Sequence, residues 1–261
     1  MPKLAANLSM MFNEVDMLSR FRAAAQAGFR GVEYLFPYDF PIDAIGEQLD
    51  KNNLQQVLFD FPAGDFANGE RGNAIFPDRR GDFQDGVGKA LEYARALECK
   101  RITCLAGIAP EGMPAEVFQD TLTGNLRFAA RAAEPFGITV LLEPLNTIDT
   151  PGFSVTRTNQ ALAIIDAVGA PNVKLQYDVY HMQIMEGDLA RTIDANRAVI
   201  AHFQIADNPG RHEPGTGEIN YDFILGQIDR SGYDGWVGCE YRPAKGTVAG
   251  LGWARRFLLT P

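Results

Sequence analysis

Eight short apolar runs, separated by stretches with helical spacing, constrain this sequence more than any other feature. Four of the later runs end in a residue able to bind a metal or move a proton. They are Val140-Leu-Leu-Glu143, Leu175-Gln-Tyr-Asp178, Val199-Ile-Ala-His-Phe-Gln204 and Trp236-Val-Gly-Cys-Glu240. His181 follows Asp178 by three residues. The runs predict strands at 4–11, 29–36, 54–61, 101–106, 138–142, 173–177, 199–205 and 236–239. Between them, apolar residues recur at helical spacing. Leu18, Phe21 and Ala25 form one such stripe, with Asn13 as a cap, Asp16 favouring the start and Gly28 as the stop. Ile42, Ile45 and Leu49 form a second, and 83–97 a third. Pro114 opens a helix that Gly137 closes. Further helices are expected at 160–168, 186–197, 221–228 and 247–258.

Strands alternating with helices imply a parallel sheet. Eight such units in 261 residues match a (β/α)8 TIM barrel forming one domain over residues 1–261. A local echo supports the repeat. Ala27-Gly-Phe-Arg-Gly-Val-Glu-Tyr34 near the start parallels Ser231-Gly-Tyr-Asp-Gly-Trp-Val-Gly-Cys-Glu-Tyr241 near the end. An open doubly wound sheet is the competing architecture. It would carry a Gly-rich phosphate loop after its first strand, and Ser9-Met-Met-Phe-Asn13 is no such loop. Two stretches, 62–80 and 206–220, are long, polar and aperiodic. Loops of that length in a compact domain serve as lids or rims of sites.

Composition removes several function classes. The net charge of −9 disfavours nucleic acid or an anionic membrane as partner, since both reward clustered Lys and Arg. No apolar run approaches the roughly 20 residues of a membrane span. The N-terminus lacks a secretory apolar region. Three cysteines without a CxxC pattern suit reduced thiols in a cytoplasmic protein. There is no Gly-x-Ser-x-Gly elbow, no Walker loop and no GxGxxG fingerprint. Cys104 ends a strand without a histidine partner and is expected as a packed thiol.

Active sites of such barrels lie at the C-terminal strand ends. Glu143, Asp178, Gln204 and Glu240 end consecutive strands there, close enough to share an ion. Carboxylates with an amide oxygen are hard ligands, suited to Mg2+ first and Mn2+ second. Taken singly, each is equally well a solvated acid where strand meets loop. Together they are costly without a cation, because converging carboxylates repel. His181 is expected as a neutral donor to a substrate oxygen, against the alternative of a buried, satisfied imidazole. Arg211 is expected to receive a substrate carboxylate, against the alternative of a solvated surface arginine. His202 is expected to pack beneath the site, and Glu33 and Glu213 to lie at its rim. A metal holding a hydroxyl and the neighbouring carbonyl acidifies the carbon between them. One glutamate then removes that proton and another group returns one to the adjacent carbon. The outcome is aldose–ketose isomerisation through a cis-enediolate.

At these residues the sequence resembles the hydroxypyruvate isomerase family of the xylose-isomerase-like barrels. The resemblance runs through Ala5-Ala-Asn-Leu-Ser-Met10, Gly28-Phe-Arg-Gly-Val-Glu-Tyr34, Pro62-Ala-Gly-Asp65 with Gly69-Glu-Arg-Gly72, and Glu143-Pro-Leu-Asn146. It continues through Gln176-Tyr-Asp-Val-Tyr-His-Met-Gln183, Gln204-Ile-Ala-Asp-Asn-Pro209 and Glu213-Pro-Gly-Thr-Gly-Glu218. It implies interconversion of hydroxypyruvate and 2-hydroxy-3-oxopropanoate, in glyoxylate metabolism. It further implies Glu143 and Glu240 as proton donor and acceptor, and Glu143, Asp178, Gln204 and Glu240 as metal ligands. A small-molecule 2-oxo acid is the expected partner, and a homo-oligomer is compatible with it. A sister group with the same site residues isomerises 2-oxotetronate and is the nearest alternative. The 146–153 and 177–182 stretches look more like the hydroxypyruvate group. An apurinic-site endonuclease of the same barrel class would need a histidine-rich cluster, and this chain has three histidines. A non-catalytic sugar-acid binding barrel is the alternative outside enzymes, and would not need two opposed glutamates.

Overall fold

A computed structural model describes residues 1–258. Eight strands close into one parallel barrel in sequence order. They are β1 (Lys3–Asn7), β2 (Gly31–Glu33), β3 (Gln55–Asp60), β4 (Arg101–Cys104), β5 (Thr139–Leu142), β6 (Val173–Asp178), β7 (Ile200–Ile205) and β8 (Trp236–Cys239). The ring closes where β1 pairs in parallel with β8, placing Ala5 opposite Gly238. The helices are α1 (Met17–Gln26), α2 (Ile42–Asn52), α3 (Arg80–Ala96), α4 (Ala115–Ala133), α5 (Thr158–Val168), α6 (Val179–Met185), α7 (Leu189–Asn196), α8 (Tyr221–Arg230) and α9 (Thr247–Gly250). Among the described residues no helix is long and apolar enough to cross a membrane.

Local chemistry sets the element ends. Asp16, not Asn13, caps α1: its side chain accepts from Ser19 N–H, while Asn13 donates to the Met10 carbonyl. Phe21 and Ala24 face inward from α1, and burying a side chain such as Phe21 contributes about 1.5–3 kcal/mol. The expected C-terminal helix is shorter than its pattern: α9 gives way to a 3-10 turn, Leu251–Ala254. The helix α6 has no counterpart in the expected pattern. It starts directly on β6, with no loop between, because the Asp178 carboxylate caps it by accepting from Tyr180 N–H at 2.8 Å.

The barrel interior is layered. Toward the strand starts it is plugged by Ala5, Val57, Leu58 and Leu141, with Ala201 and Trp236 packed alongside. The larger apolar core lies between the barrel and its helices. Above the plug the interior turns polar, and that change positions the site.

Candidate active site

The polar layer is a chain of directed hydrogen bonds. Thr103 Oγ1 donates to Gln176 Oε1 at 2.6 Å, and Gln176 Nε2 donates to Gln204 Oε1 at 2.6 Å. Gln204 Nε2 then donates to Glu33 Oε1 at 2.8 Å. Asn7 Nδ2 reaches both Glu33 Oε1 at 3.1 Å and Glu240 Oε1 at 3.2 Å. His202 Nε2 meets Glu33 Oε2 at 2.8 Å, which places His202 beneath the site. Glu33 is therefore not a rim residue: it is wholly buried at the centre of this layer. The cause is neighbouring side-chain volume. Ala5 and Gly238 are small and leave room for the Glu33 carboxyl to cross toward β8. Glu213 is also buried, its carboxylate accepting from Ala244 N–H at 2.9 Å in the loop after β8.

Above the layer lies a cavity of about 530 Å³ at the C-terminal strand ends. Its acids arrive from different strands. Asp60 ends β3, Glu143 follows β5 with Asp149 in the loop beyond it, and Glu240 follows β8, while Asp178 at the end of β6 stands behind the lining beside Glu143 and Glu240. One ligand atom each from Glu143, Asp178, His181 and Glu240 falls within a 4.8 Å cluster. Glu143 Oε1 and Asp178 Oδ2 are buried without a hydrogen-bond partner. At an effective dielectric near 20, two like charges at that separation repel by about 3 kcal/mol. Burial first, and then the charges of Glu240 and Asp178, push the Glu143 carboxyl well above the usual range. Burial likewise raises Glu240 to about 8 and Asp178 to about 6, against the opposing pull of Arg211. Asp60 is raised well above its usual value by burial and by Glu240. The sequence pattern of an apolar run ending in an acid fits Asp60 as well as it fits Glu143.

Arg211 and His181 stand among these acids. Arg211 Nη2 lies 2.5 Å from Glu240 Oε2 and 3.8 Å from Asp178 Oδ2, while Nη1 lies 3.4 Å from Asp149. Burial opposes its charge, but Glu240, Asp178 and Asp149 together hold the guanidinium firmly protonated. His181 is buried, and desolvation followed by the Arg211 charge keeps its imidazole neutral. Its tautomer follows from its partners. Asn146 N–H approaches Nδ1 at 3.2 Å, and the Asn146 amide nitrogen stands 2.6 Å from the same atom. The amide orientation is fixed because Asn146 Oδ1 accepts from Ile148 N–H and Asp149 N–H. Nε2 stands 3.5 Å from both Asp178 Oδ2 and Arg211 Nη2, and the closer donors on Nδ1 assign the imidazole proton to Nε2.

The donor set fits a divalent metal. Three carboxylates converge, two carry buried oxygens without partners, and hard oxygens suit a hard cation. Glu143, Asp178 and Glu240 could hold it. A proton on His181 Nε2 leaves that atom no lone pair for the ion, so His181 faces the site as a donor. Of the residues expected from sequence, the structure brings Glu143, Asp178, Glu240, His181 and Arg211 into one cluster. Gln204 lies one layer down, its amide oxygen already accepting from Gln176.

Residues 21–257 match the model of the xylose isomerase-like TIM barrel family, and the chain belongs to that family. Within it, the chain is similar to the hydroxypyruvate isomerase of Escherichia coli (strain K12), 53% identical over 97% of this chain and 98% of the relative. It is similar too to the 2-oxo-tetronate isomerase of Cupriavidus necator, 50% identical over 99% of each chain. Among solved structures, the crystal structure of an AP endonuclease, family 2, from Brucella melitensis superposes with a TM-score of 0.98 at 48% identity, covering 99% of this chain and all of that one.

Proposed function

We infer that this chain is a hydroxypyruvate isomerase that interconverts hydroxypyruvate and 2-hydroxy-3-oxopropanoate through a cis-enediolate. The observation that carries the reading is the pair Glu143 and Glu240, two buried carboxyl groups that converge in one cavity, both held above the usual carboxylate range by burial. Groups so placed take and return protons near neutral pH. One removes the proton from the hydroxyl-bearing carbon, and the other delivers a proton to the neighbouring carbon. Asn7 and Arg211 orient Glu240 from either side. His181 Nε2–H donates to the substrate oxygen that gains charge in the enediolate. Arg211 adds positive charge beside it. Glu143, Asp178 and Glu240 would hold Mg2+ or Mn2+ above Gln204, and the ion would supply Lewis-acid polarisation of the carbonyl and hydroxyl.

The Cupriavidus relative favours a second reading in which the substrate is the four-carbon 2-oxotetronate. Both acids share the reacting carbons and differ beyond them. A nuclease reading meets a cavity lined by Asp60, Glu143 and Glu240, which repels a phosphodiester. It also meets a single clustered histidine. The buried thiols Cys99, Cys104 and Cys239 support a reducing, cytoplasmic setting. The test is proton NMR of the purified protein with hydroxypyruvate and with 2-oxotetronate in D2O. The expected result is conversion with deuterium at the carbon that receives the proton. A protein inert toward both acids refutes the isomerase reading, and conversion without exchange refutes proton return from a solvent-equilibrated glutamate.

A further inference from the structure

The polar loop joining β3 to α3 carries an arginine with no acidic partner among the described residues. We propose that Arg71 is the anchor for the substrate carboxylate, gripping it with the Nε–Nη2 edge of its guanidinium. The proposal rests on the 2-oxo acid reading and names which group of the chain recognises the acid.

Arg71 lines the same cavity as Glu143 and Glu240 and is half-buried. Its Nη1 is consumed, donating to the carbonyls of Phe66 at 3.0 Å and Glu70 at 2.7 Å. Its plane lies over the Phe66 ring at 3.9 Å. Those contacts fix the guanidinium while leaving Nε–H and the two Nη2 protons unpaired among the described residues. That edge presents parallel donors with the spacing of a carboxylate's two oxygens.

The loop is built to keep that edge free. Glu70, the acid next to Arg71 in sequence, is diverted: its carboxylate pairs with Arg79 at 2.6 Å and accepts from Asp65 N–H at 2.6 Å. Phe66 is held by an edge contact to Phe36 with ring centroids 5.0 Å apart. Gly72 adopts φ +109°, and a Cβ there would strike the Leu105 carbonyl, so the backbone beside Arg71 has one seat. Gly72 N–H closes the turn onto the Ala63 carbonyl at 3.0 Å.

Charge decides between the arginines of the lining. Arg211 has its Nη2 on Glu240 and stands near Asp178 and Asp149, so although its buried Nε has no partner it offers no free two-donor edge. A carboxylate placed there would stand beside three acids. Arg242 is exposed at the rim. In the ring of eight strands β3 stands opposite β7, so the loop after β3 faces the Asp178 and Glu240 side across the mouth. A 2-oxo acid lying across the cavity can thus hold its reacting carbons by the acids and its carboxylate by Arg71, with the like charges apart.

The test compares hydroxypyruvate with dihydroxyacetone, which replaces the carboxylate by a neutral hydroxymethyl group. Arg71→Met should lower kcat/KM for hydroxypyruvate about 10- to 100-fold, mainly through KM, the range of one charge-assisted contact. The inhibition constant of dihydroxyacetone should stay within about twofold. Arg71→Lys, which keeps the charge but not the paired edge, should fall between. Equal weakening of both ligands assigns Arg71 a structural role and overturns the proposal, as does unchanged hydroxypyruvate kinetics. Calorimetric binding of hydroxypyruvate to wild type and Arg71→Met keeps the two claims separable. A protein that binds the acid through Arg71 without converting it sinks the isomerase reading alone.

Discussion

Replacing Gly238 by alanine adds one methyl group to the barrel interior, and the structure fixes what that methyl meets. A Cβ at this position would lie closer than 3.0 Å to Oε1, Cδ and Oε2 of Glu33. Glu33 cannot swing aside as an exposed acid would. It is wholly buried, and Asn7, Gln204 and His202 hold its oxygens. Overpacking a filled interior by a methyl group costs about 1–3 kcal/mol. Losing one hydrogen bond to a buried carboxylate costs about 1.5–3 kcal/mol more. The variant should therefore lose about 2.5–6 kcal/mol, a large part of the roughly 5–15 kcal/mol that holds a domain together. Because Asn7 bridges Glu33 and Glu240, displacement of the first also misaligns the second, and kcat/KM should fall more than about tenfold. Urea unfolding, followed by tryptophan fluorescence, and steady-state kinetics measure both. A variant destabilised by less than about 1 kcal/mol with unchanged kcat/KM would show that the Glu33 carboxyl has room, and would refute the packing argument.

Glu143→Gln and Glu240→Gln should each lower kcat by about 10²–10⁴ while hydroxypyruvate still binds, as read by kinetics and calorimetry; near wild-type turnover in both removes them from proton transfer. The folded pKa values of Glu143, Asp178 and Glu240 are raised, to about 6 for Asp178 and about 8 for Glu240. An acid raised on folding stabilises the metal-free protein at low pH, and that contribution is lost as pH climbs through the folded value. The Tm of metal-free protein should thus fall between about pH 5 and 8, and added Mg2+ or Mn2+ should raise it more at pH 8 than at pH 6; a pH-independent metal effect contradicts the cluster. Burial pushes the Cys99 thiol up to about 12 and also raises Cys104 and Cys239. A thiol reagent should accordingly titrate none of the three in native protein and all three in urea, whereas fast labelling of the native form would place one at the surface.

Much of the architecture was legible because it rests on period. Strand and helix alternation specifies the barrel, and the end of each strand specifies the site. That rule singles out Glu143, Asp178 and Glu240, which the structure brings into one cluster. Asp60 and Asn7 obey the same rule but end β3 and β1, outside the consecutive later strands that make the pattern visible. Glu33 was misplaced at the rim for a different reason. Its burial depends on the small side chains of Ala5 and Gly238 on other strands, a three-dimensional coincidence that no local pattern carries. The helix α6 was hidden because Asp178 serves at once as strand end, helix cap and site acid, leaving no polar loop to mark the change. Arg71 was hidden by aperiodicity, as its role depends on which way Glu70 turns.

The hydrogen-bond chain from Thr103 through Gln176 and Gln204 to Glu33 runs in one sense only. Each amide accepts on one side and donates on the other. Turning one member around would set two donors or two acceptors face to face in a dry interior. Such a chain changes by concerted replacement of its members. The loop bearing Arg71 is held instead by separate contacts, the Glu70–Arg79 pair within it and the packing of Phe66 on Phe36 and of Gly72 on the Leu105 carbonyl outside it. One molecule therefore carries two kinds of constraint: a floor whose members can change only together, and a rim loop whose shape is set by contacts between single residues.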